Sequence, residues 1–324
     1  MRNTRYTFTW ACALFCFLFT RNVLSQTIPT QGHTRAHDLV GVTVADRPSP
    51  YYRFETHHLV SVDGQRRYRV YIGFPRKPGE SRGRASAGDG PILYMLDGNA
   101  AIDTLTDSDL ARLSRRNAPV LVAVGYDVST RNDVVARAYD YTPPVYANGS
   151  RVDSPVVRGR VGGGAEAFLD LIEQQIKPLV HVHGVNGARE YLWGHSYGGL
   201  FAMHVLLTRP DAFDAYIVGD PSVWWHNGEL LREWEAFDET RAVGKRIDIL
   251  VGTKPRPANR PPPPDAGMIE RDGRQISPRA ALQEIAQGLE ASGAQVSYRT
   301  FPEYGHGEMI RVSLEQALRV AREP

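Results

Sequence analysis

Residues 190–207 read Glu190-Tyr191-Leu192-Trp193-Gly194-His195-Ser196-Tyr197-Gly198-Gly199-Leu200-Phe201-Ala202-Met203-His204-Val205-Leu206-Leu207. Three patterns are joined there. Glu190–Trp193 contains a short apolar run of the kind that forms a strand buried on both faces. Leu200–Leu207 is an apolar helical stretch. Between them lies Gly-x-Ser-x-Gly, from Gly194 to Gly198. Glycines around a serine permit a turn sharp enough to lift its side chain above a sheet. Strand, turn and helix in that order are the setting of a nucleophile elbow. The helix N-terminus adds N–H groups and partial positive charge for a developing oxyanion. A five-residue pattern recurs by chance. Its context makes Ser196 a candidate nucleophile rather than a helix cap.

Further continuous apolar runs lie outward from this point, at 91–96, 120–124, 215–218 and 247–251. Helical patterns occupy Ala165–Val180, Gly198–Thr208, Pro278–Ser292 and Glu308–Arg322. Strands alternating with helices predict an α/β fold with a mostly parallel sheet and helices on both faces. His57–Val62 and Arg67–Phe74 flank Asp63-Gly64, which predicts an antiparallel N-terminal hairpin at one edge. Residues 79–90, rich in Gly, Ser and Arg, read as a loop. Two insertions, Tyr126–Gly164 and Thr253–Gly273, leave the carboxyl ends of strands and are candidate substrate walls. The second carries the proline tract 261–264, for which surface decoration is an equal reading.

A serine hydroxyl needs a base. His306, in the glycine-flanked stretch Phe301–Gly307, follows the last strand and lies downstream of the serine, where the base of such an enzyme belongs. Chain order places the acid of a triad after Val251, but Gly252-Thr253-Lys254-Pro255-Arg256-Pro257 holds none. Asp265, Glu270, Glu303 and Glu308 are the remaining orienters, so the sequence predicts a Ser196–His306 dyad. For the oxyanion it predicts the amide of Tyr197 and that of Asn99, with Gly98 as the alternative. His195 occupies the variable elbow position. His181 with His183, and His57 with His58, lack the carboxylate company of a metal site. No cofactor and no metal is expected.

Hydrophobic residues make up 42% and charged residues 23% of the 324, which excludes a collagen-like, coiled-coil or wholly disordered chain. The net charge of +2 becomes −1 without residues 1–25, which hold Arg2, Arg5 and Arg21 and no acid. The remainder has no basic stripe, so nucleic acid is not an expected partner. Residues 1–25 combine a positive start, an apolar run from Trp10 to Phe19 and a small-residue site at Ser25, the features of a cleaved signal peptide. The uncharged run is shorter than a bilayer span, so no stable membrane anchor is expected after cleavage. Both cysteines, Cys12 and Cys16, lie within it. The expected division is signal peptide at 1–25, arm or linker at 26–50 and catalytic domain at 51–324. The expected location is the periplasm, with secretion as the alternative.

Five segments occur in an order that resembles one family: Tyr94–Asn99 (YMLDGN), Val122–Tyr126 (VAVGY), Arg137–Pro143 (RAYDYTP), Leu192–Leu200 (LWGHSYGGL) and Gly305–Gly307. They resemble the esterase-D-like α/β hydrolases, and more closely the periplasmic esterases that open trilactone catecholate siderophores such as enterobactin and salmochelin. The resemblance covers most of residues 50–320 and implies the α/β-hydrolase fold. It also implies Ser196 and His306 as a catalytic dyad and Arg137 facing the substrate. A guanidinium suits ester carbonyls and anionic catecholate oxygens. Asp97 matches the family motif as an orienter of Arg137 or of its loop. Tyr139 and Trp224, with Arg131, Tyr141 and Trp225, would add charge and aromatic surface. The competing reading of Arg137 is an ion pair with Asp140.

The expected activity is therefore hydrolysis of the ester bonds of a catecholate siderophore trilactone by an exported serine esterase, with iron present only as part of the substrate. A general or aryl-ester carboxylesterase is the alternative with the same chemistry. A non-catalytic siderophore-binding protein on a hydrolase scaffold is the alternative of another class.

Overall fold

Asp63-Gly64 reverses the chain between β1 (Tyr52–Val60) and β2 (Arg67–Pro75), which pair antiparallel along their whole length. Gly64 takes the φ of 73° that the turn requires. The computed structural model describes residues 37–76, 90–147, 149–152, 155–185, 188–255, 267–271 and 273–323. The expected signal, the first part of the arm, most of the 79–90 loop and the proline tract with Asp265 lie outside the described residues.

After the hairpin, β3 (Ile92–Leu96) leads to α1 (Gly98–Thr104), α2 (Asp107–Leu113) and β4 (Val120–Tyr126). The first insertion follows. It holds α3 (Ala136–Asp140) and two small hairpins, β5 (Tyr146–Ala147) with β6 (Ser150–Arg151) and β7 (Val156–Val157) with β8 (Arg160–Val161). The helix predicted over 165–180 forms as α4 (Ala165–Leu171), a π turn at Ile172–Ile176 and α5 (Lys177–His181). β9 (Glu190–His195), α6 (Tyr197–Thr208), β10 (Ala215–Gly219) and α7 (Glu229–Ala236) come next. The chain closes with β11 (Arg246–Gly252), β12 (Ile269–Arg271), β13 (Arg274–Ile276), α8 (Pro278–Ala291), β14 (Gln295–Phe301) and α9 (Met309–Val320).

The main sheet has the order β1-β2-β4-β3-β9-β10-β11-β14. β2 runs antiparallel to both β1 and β4, and every pair from β4 to β14 is parallel. This is the α/β arrangement the apolar runs predict. β3, β4 and β10 are buried at every residue, as strands covered on both faces must be. Tyr94 and Leu96 of β3 join one core cluster, with side chains from α3 to α8. Leu93 and Met95 join the other, with α1, α2 and α9. Val44, from the described end of the arm, is buried in that second cluster, and Val40 N–H donates to the Ser129 carbonyl.

From β3 the chain first moves outward to β4 and later returns to β9 on the other side of β3. The order reverses there, and a crevice opens outside the carboxyl ends of β3 and β9. Asp97–Asn99 leave the first of those ends and Ser196 the second.

Candidate active site

Ser196 joins β9 to α6 with φ 61° and ψ −117°, a backbone conformation that residues with a side chain rarely adopt. The neighbouring structure holds it there. Its N–H donates to the Gly219 carbonyl at 2.9 Å, and its own carbonyl accepts from Ser222 N–H at 3.1 Å. Gly194 is required by close approach, since a Cβ there would stand 2.2 Å from the Gly198 carbonyl oxygen.

The loop after β14 brings His306 to this serine. Ser196 Oγ lies 3.1 Å from His306 Nε2. On the other side of the ring, Nδ1 lies 2.7 Å from Asp220 Oδ2. Nδ1–H therefore donates to the carboxylate and Nε2 is left to accept the serine proton. This corrects the expected dyad: an acid is present, and it follows β10 rather than β11. Asp220 comes directly after the last residue of β10, with φ 43°, and its N–H donates to the Leu250 carbonyl at 2.7 Å. The signal in the sequence is Gly219-Asp220-Pro221 at the end of an apolar run, one strand before the stretch where chain order places the acid.

Among the expected orienters, Glu308 accepts from Gly305 N–H at 2.7 Å and lies 3.4 Å from Lys254. It braces the histidine loop instead of the ring. Glu270 exchanges backbone hydrogen bonds with the Asn227 side chain.

His195 acts from the elbow itself. Its Nε2–H donates to the backbone carbonyl of His306 at 2.9 Å, and the two rings lie 4.9 Å apart. Burial, reinforced by His306 alongside, pulls the His195 imidazole down to about 3, so it is neutral near pH 7. His195, Asp220 and His306 present three donor atoms within 4.8 Å of one another. The two imidazoles and the carboxylate are already engaged in the hydrogen bonds just described. His181 and His183 instead meet Glu190 and the Phe74 ring.

Arg137 and Asp97 form a bidentate pair, Nε to Oδ1 at 2.8 Å and Nη2 to Oδ2 at 2.7 Å. Their side chains are 13% and 6% exposed, so the pair is shielded from most water screening. Burial opposes the Arg137 charge, and the Asp97 carboxylate more than offsets it, holding the guanidinium protonated above the usual arginine range. The guanidinium also lies over the rings of Tyr141 and Tyr197, at 5.4 and 5.2 Å. Asp97 N–H donates to the Tyr141 hydroxyl at 2.9 Å. The alternative partner, Asp140, is taken by Arg66 at 2.9 Å and by the hydroxyls of Tyr68 and Tyr126. Burial pushes that carboxyl up to about 7.

A cavity of about 220 Å³ opens at the serine, lined by Val134, Arg137, Arg158, Arg160, Ser196, Tyr197, Ser222, Trp224 and His306. Tyr197, Arg137 and Trp224 thus share one cavity with the serine. Two other expectations are corrected. Tyr139 is not in the wall: its ring lies against Arg66 at 4.4 Å and fills the space beside Gly164. On a helix, positions two apart point to different faces, so α3 cannot show both Arg137 and Tyr139 to one cavity. Asn99, expected to offer its backbone amide, keeps its side chain out of the wall. Its Nδ2 ties down the carbonyls of Tyr126, Val128 and Thr130, at 3.0, 3.2 and 3.0 Å. Arg131, Tyr141 and Trp225 are buried, with Arg131 paired to Asp103.

Residues 61–292 match the Esterase family model, described as "Putative esterase". The chain is 34% identical over 281 residues to "Apo-salmochelin esterase" of Escherichia coli O6:H1, across 86% of this chain and 82% of that protein. It is 29% identical over 282 residues to "Ferri-bacillibactin esterase BesA" of Bacillus subtilis, across 83% and 90%. The solved structure "Enterobactin and Salmochelin Hydrolase IroE" superposes with a TM-score of 0.65 at 31% identity, across 86% of this chain and 99% of that one.

Proposed function

The chain belongs to the Esterase family, and from that premise we propose that it is an exported serine esterase acting on catecholate siderophore trilactones of the ferric enterobactin or salmochelin kind. Opening the lactone ring leaves linear fragments that hold iron less firmly. The observation that carries the reading is the relay from Ser196 through His306 to Asp220, opening on a cavity that also presents Arg137 and Trp224.

In this reading Ser196 Oγ attacks the ester carbonyl while His306 Nε2 takes its proton. Asp220 holds the ring in the accepting tautomer and stabilises the imidazolium that forms. The Tyr197 amide, at the start of α6, faces the charge that develops on the carbonyl oxygen. A second donor comes from the 97–99 turn, where Asn99 and Gly98 are the candidates. His306 then protonates the leaving alkoxide and activates the water that releases the acyl group. Arg137, fixed by Asp97, orients the substrate.

The names of the relatives support a siderophore ester, and they include both a metal-free and a ferric form. Export rests on residues 1–25, read as a cleaved signal ahead of the arm at 26–50 and the catalytic domain at 51–324. The periplasm is the compartment in this reading.

Incubation with iron-loaded enterobactin, followed by chromatography of the products, tests the proposal. Linear fragments should appear with the wild-type protein and not with Ser196→Ala. Turnover of simple aryl esters with the trilactone left intact would instead favour a general carboxylesterase. Tight binding without turnover or labelling of Ser196 by a fluorophosphonate would favour a binding protein.

A further inference from the structure

A short hairpin stands beside the nucleophile. β7 and β8 pair Val156 with Val161 and Val157 with Arg160. Their turn is Arg158-Gly159, with φ 52° and 70°, the left-handed pair of a tight hairpin turn that favours Asn, Asp or Gly. Gly159 adopts it freely, whereas Arg158 is held there against its own preference. An arginine kept at a strained turn beside an active site calls for a functional reason.

The base of the hairpin is pinned. Gly162 N–H donates to the Pro155 carbonyl at 2.8 Å, Gly163 N–H to Thr142 Oγ1 at 2.9 Å, and Arg151 to the Gly163 carbonyl at 2.7 Å. From this base the Arg158 guanidinium reaches over the Trp224 indole, 4.1 Å from the ring centre. Trp224 in turn lies 5.8 Å from the Tyr197 ring. Among the described residues, the cavity at Ser196 is therefore lined by three arginines, the rings of Tyr197 and Trp224 and no carboxylate. An adjoining cavity of about 580 Å³ shares Arg158, Trp224 and His306 and adds Arg279 and Lys254, the latter 3.4 Å from Glu308; among its described lining residues Asp220 is the one acid.

We infer that Arg158 and Arg160, with Trp224, form a subsite for an anionic aromatic group on the acyl half of the substrate, and that this subsite selects the iron-loaded trilactone over the metal-free one. The inference rests on the esterase reading above. Its chemistry is direct. A catechol that binds iron gives up its phenolic protons, so loading turns a neutral trilactone into a multiply charged anion. A flat anionic ring needs an aromatic surface and a planar set of charged donors together. A guanidinium stacked on an indole supplies both, because its N–H donors lie in its own plane.

Binding in the Ser196→Ala background tests this without requiring turnover. The protein is titrated with iron-loaded and with iron-free enterobactin, and affinity is read by calorimetry. The iron-loaded form should bind about tenfold or more tightly, as expected for hydrogen bonds to a charged group. Adding Arg158→Ala or Arg160→Ala should shrink that ratio and flatten the dependence of Kd on salt. Arg158→Lys, which keeps the charge and loses the planar fork, should fall between. Equal affinity for the two forms, no binding of either, or a ratio unchanged in both arginine variants would overturn the inference. Charge-selective binding combined with an intact lactone in the wild-type reaction would sink the proposed activity while leaving the subsite standing.

Discussion

The imidazole of His195 donates from Nε2 to the backbone carbonyl of His306, 2.9 Å away, so the elbow residue next to the nucleophile holds the loop that carries the base. The bond does not depend on protonation near neutrality, since burial keeps His195 neutral down to about pH 3. His195 is thus a positioning residue. His195→Ala should lower kcat on any ester by about tenfold, the loss of one well-placed hydrogen bond. The acid limb of the pH–rate profile, which reports the base, should survive at reduced height. His195→Asn, which retains a donor, should recover part of the rate. Full activity in the alanine variant would remove the assigned role.

The same residue predicts a trend in stability. Its value is 6.5 when unperturbed and is lowered to about 3 in the folded chain. Between those values the unfolded chain binds the extra proton and the folded one does not, so stability rises with pH. The contribution is complete above about pH 6.5 and is lost as pH falls toward 3. Melting temperatures followed from pH 7 to pH 4 should therefore fall less steeply in His195→Asn than in wild type. Parallel curves would mean that the ring is open to water.

Asp220 separates a triad from a dyad. Replacing it by Asn keeps the shape but removes the charge that stabilises the imidazolium and fixes the tautomer. Loss of such an acid lowers kcat by about 10²–10⁴-fold. KM should change little, because Asp220 approaches His306 at 2.7 Å from the side away from the serine. Steady-state kinetics on one soluble ester suffice, and a loss under tenfold would restore the dyad.

What the sequence revealed and what it hid divide along physical lines. Ser196 and His306 were legible because an elbow needs glycines at fixed positions and the base must follow the last strand. The parallel strands were legible because burial on both faces leaves continuous apolar runs. Asp220 was hidden because chain order pointed to the strand after its own, although both strand ends face the same crevice. The displacement of Tyr139 was hidden because α3 is only five residues long, too short for a periodic pattern to show which face Arg137 occupies. The left-handed Arg158 was hidden because Gly159 marks a turn but an arginine before it does not ask for a left-handed backbone, and only the fold imposes one.

The Asp97–Arg137 pair should be coupled energetically as well as geometrically. Removing either partner leaves a charge in a mostly dry setting, at a cost of about 3 kcal/mol. Arg137→Ala and Asp97→Ala should each destabilise the protein, while the double variant should lose less than the sum, with a coupling of about 2 kcal/mol. Urea unfolding of the four proteins closes the cycle. Arg137→Lys should keep much of the stability and raise KM for a siderophore ester, because an ammonium cannot reproduce the two-point contact. Additive losses would show that the pair is not held as described.

Tyr139 and Trp224 make the sharpest contrast, because they were expected to share a role and their surroundings divide it. Tyr139 packs on Arg66 and beside Gly164, away from the serine, so Tyr139→Phe, which keeps the ring, should leave kcat and KM at wild-type values. Tyr139→Ala should reduce stability by about 3 kcal/mol, the scale of truncating a packed aromatic. Trp224 lies between Tyr197 and Arg158 in the cavity wall. Trp224→Ala removes the surface that orders Arg158, and a contact of this type contributes about 1 kcal/mol even when partly exposed. KM for an ester with an aromatic acyl group should then rise roughly fivefold to tenfold, with a smaller change for an acetyl ester. If Tyr139→Phe raised KM and Trp224→Ala did not, the substrate would have to enter from the Arg66 side, and the placement of the acyl pocket would be wrong.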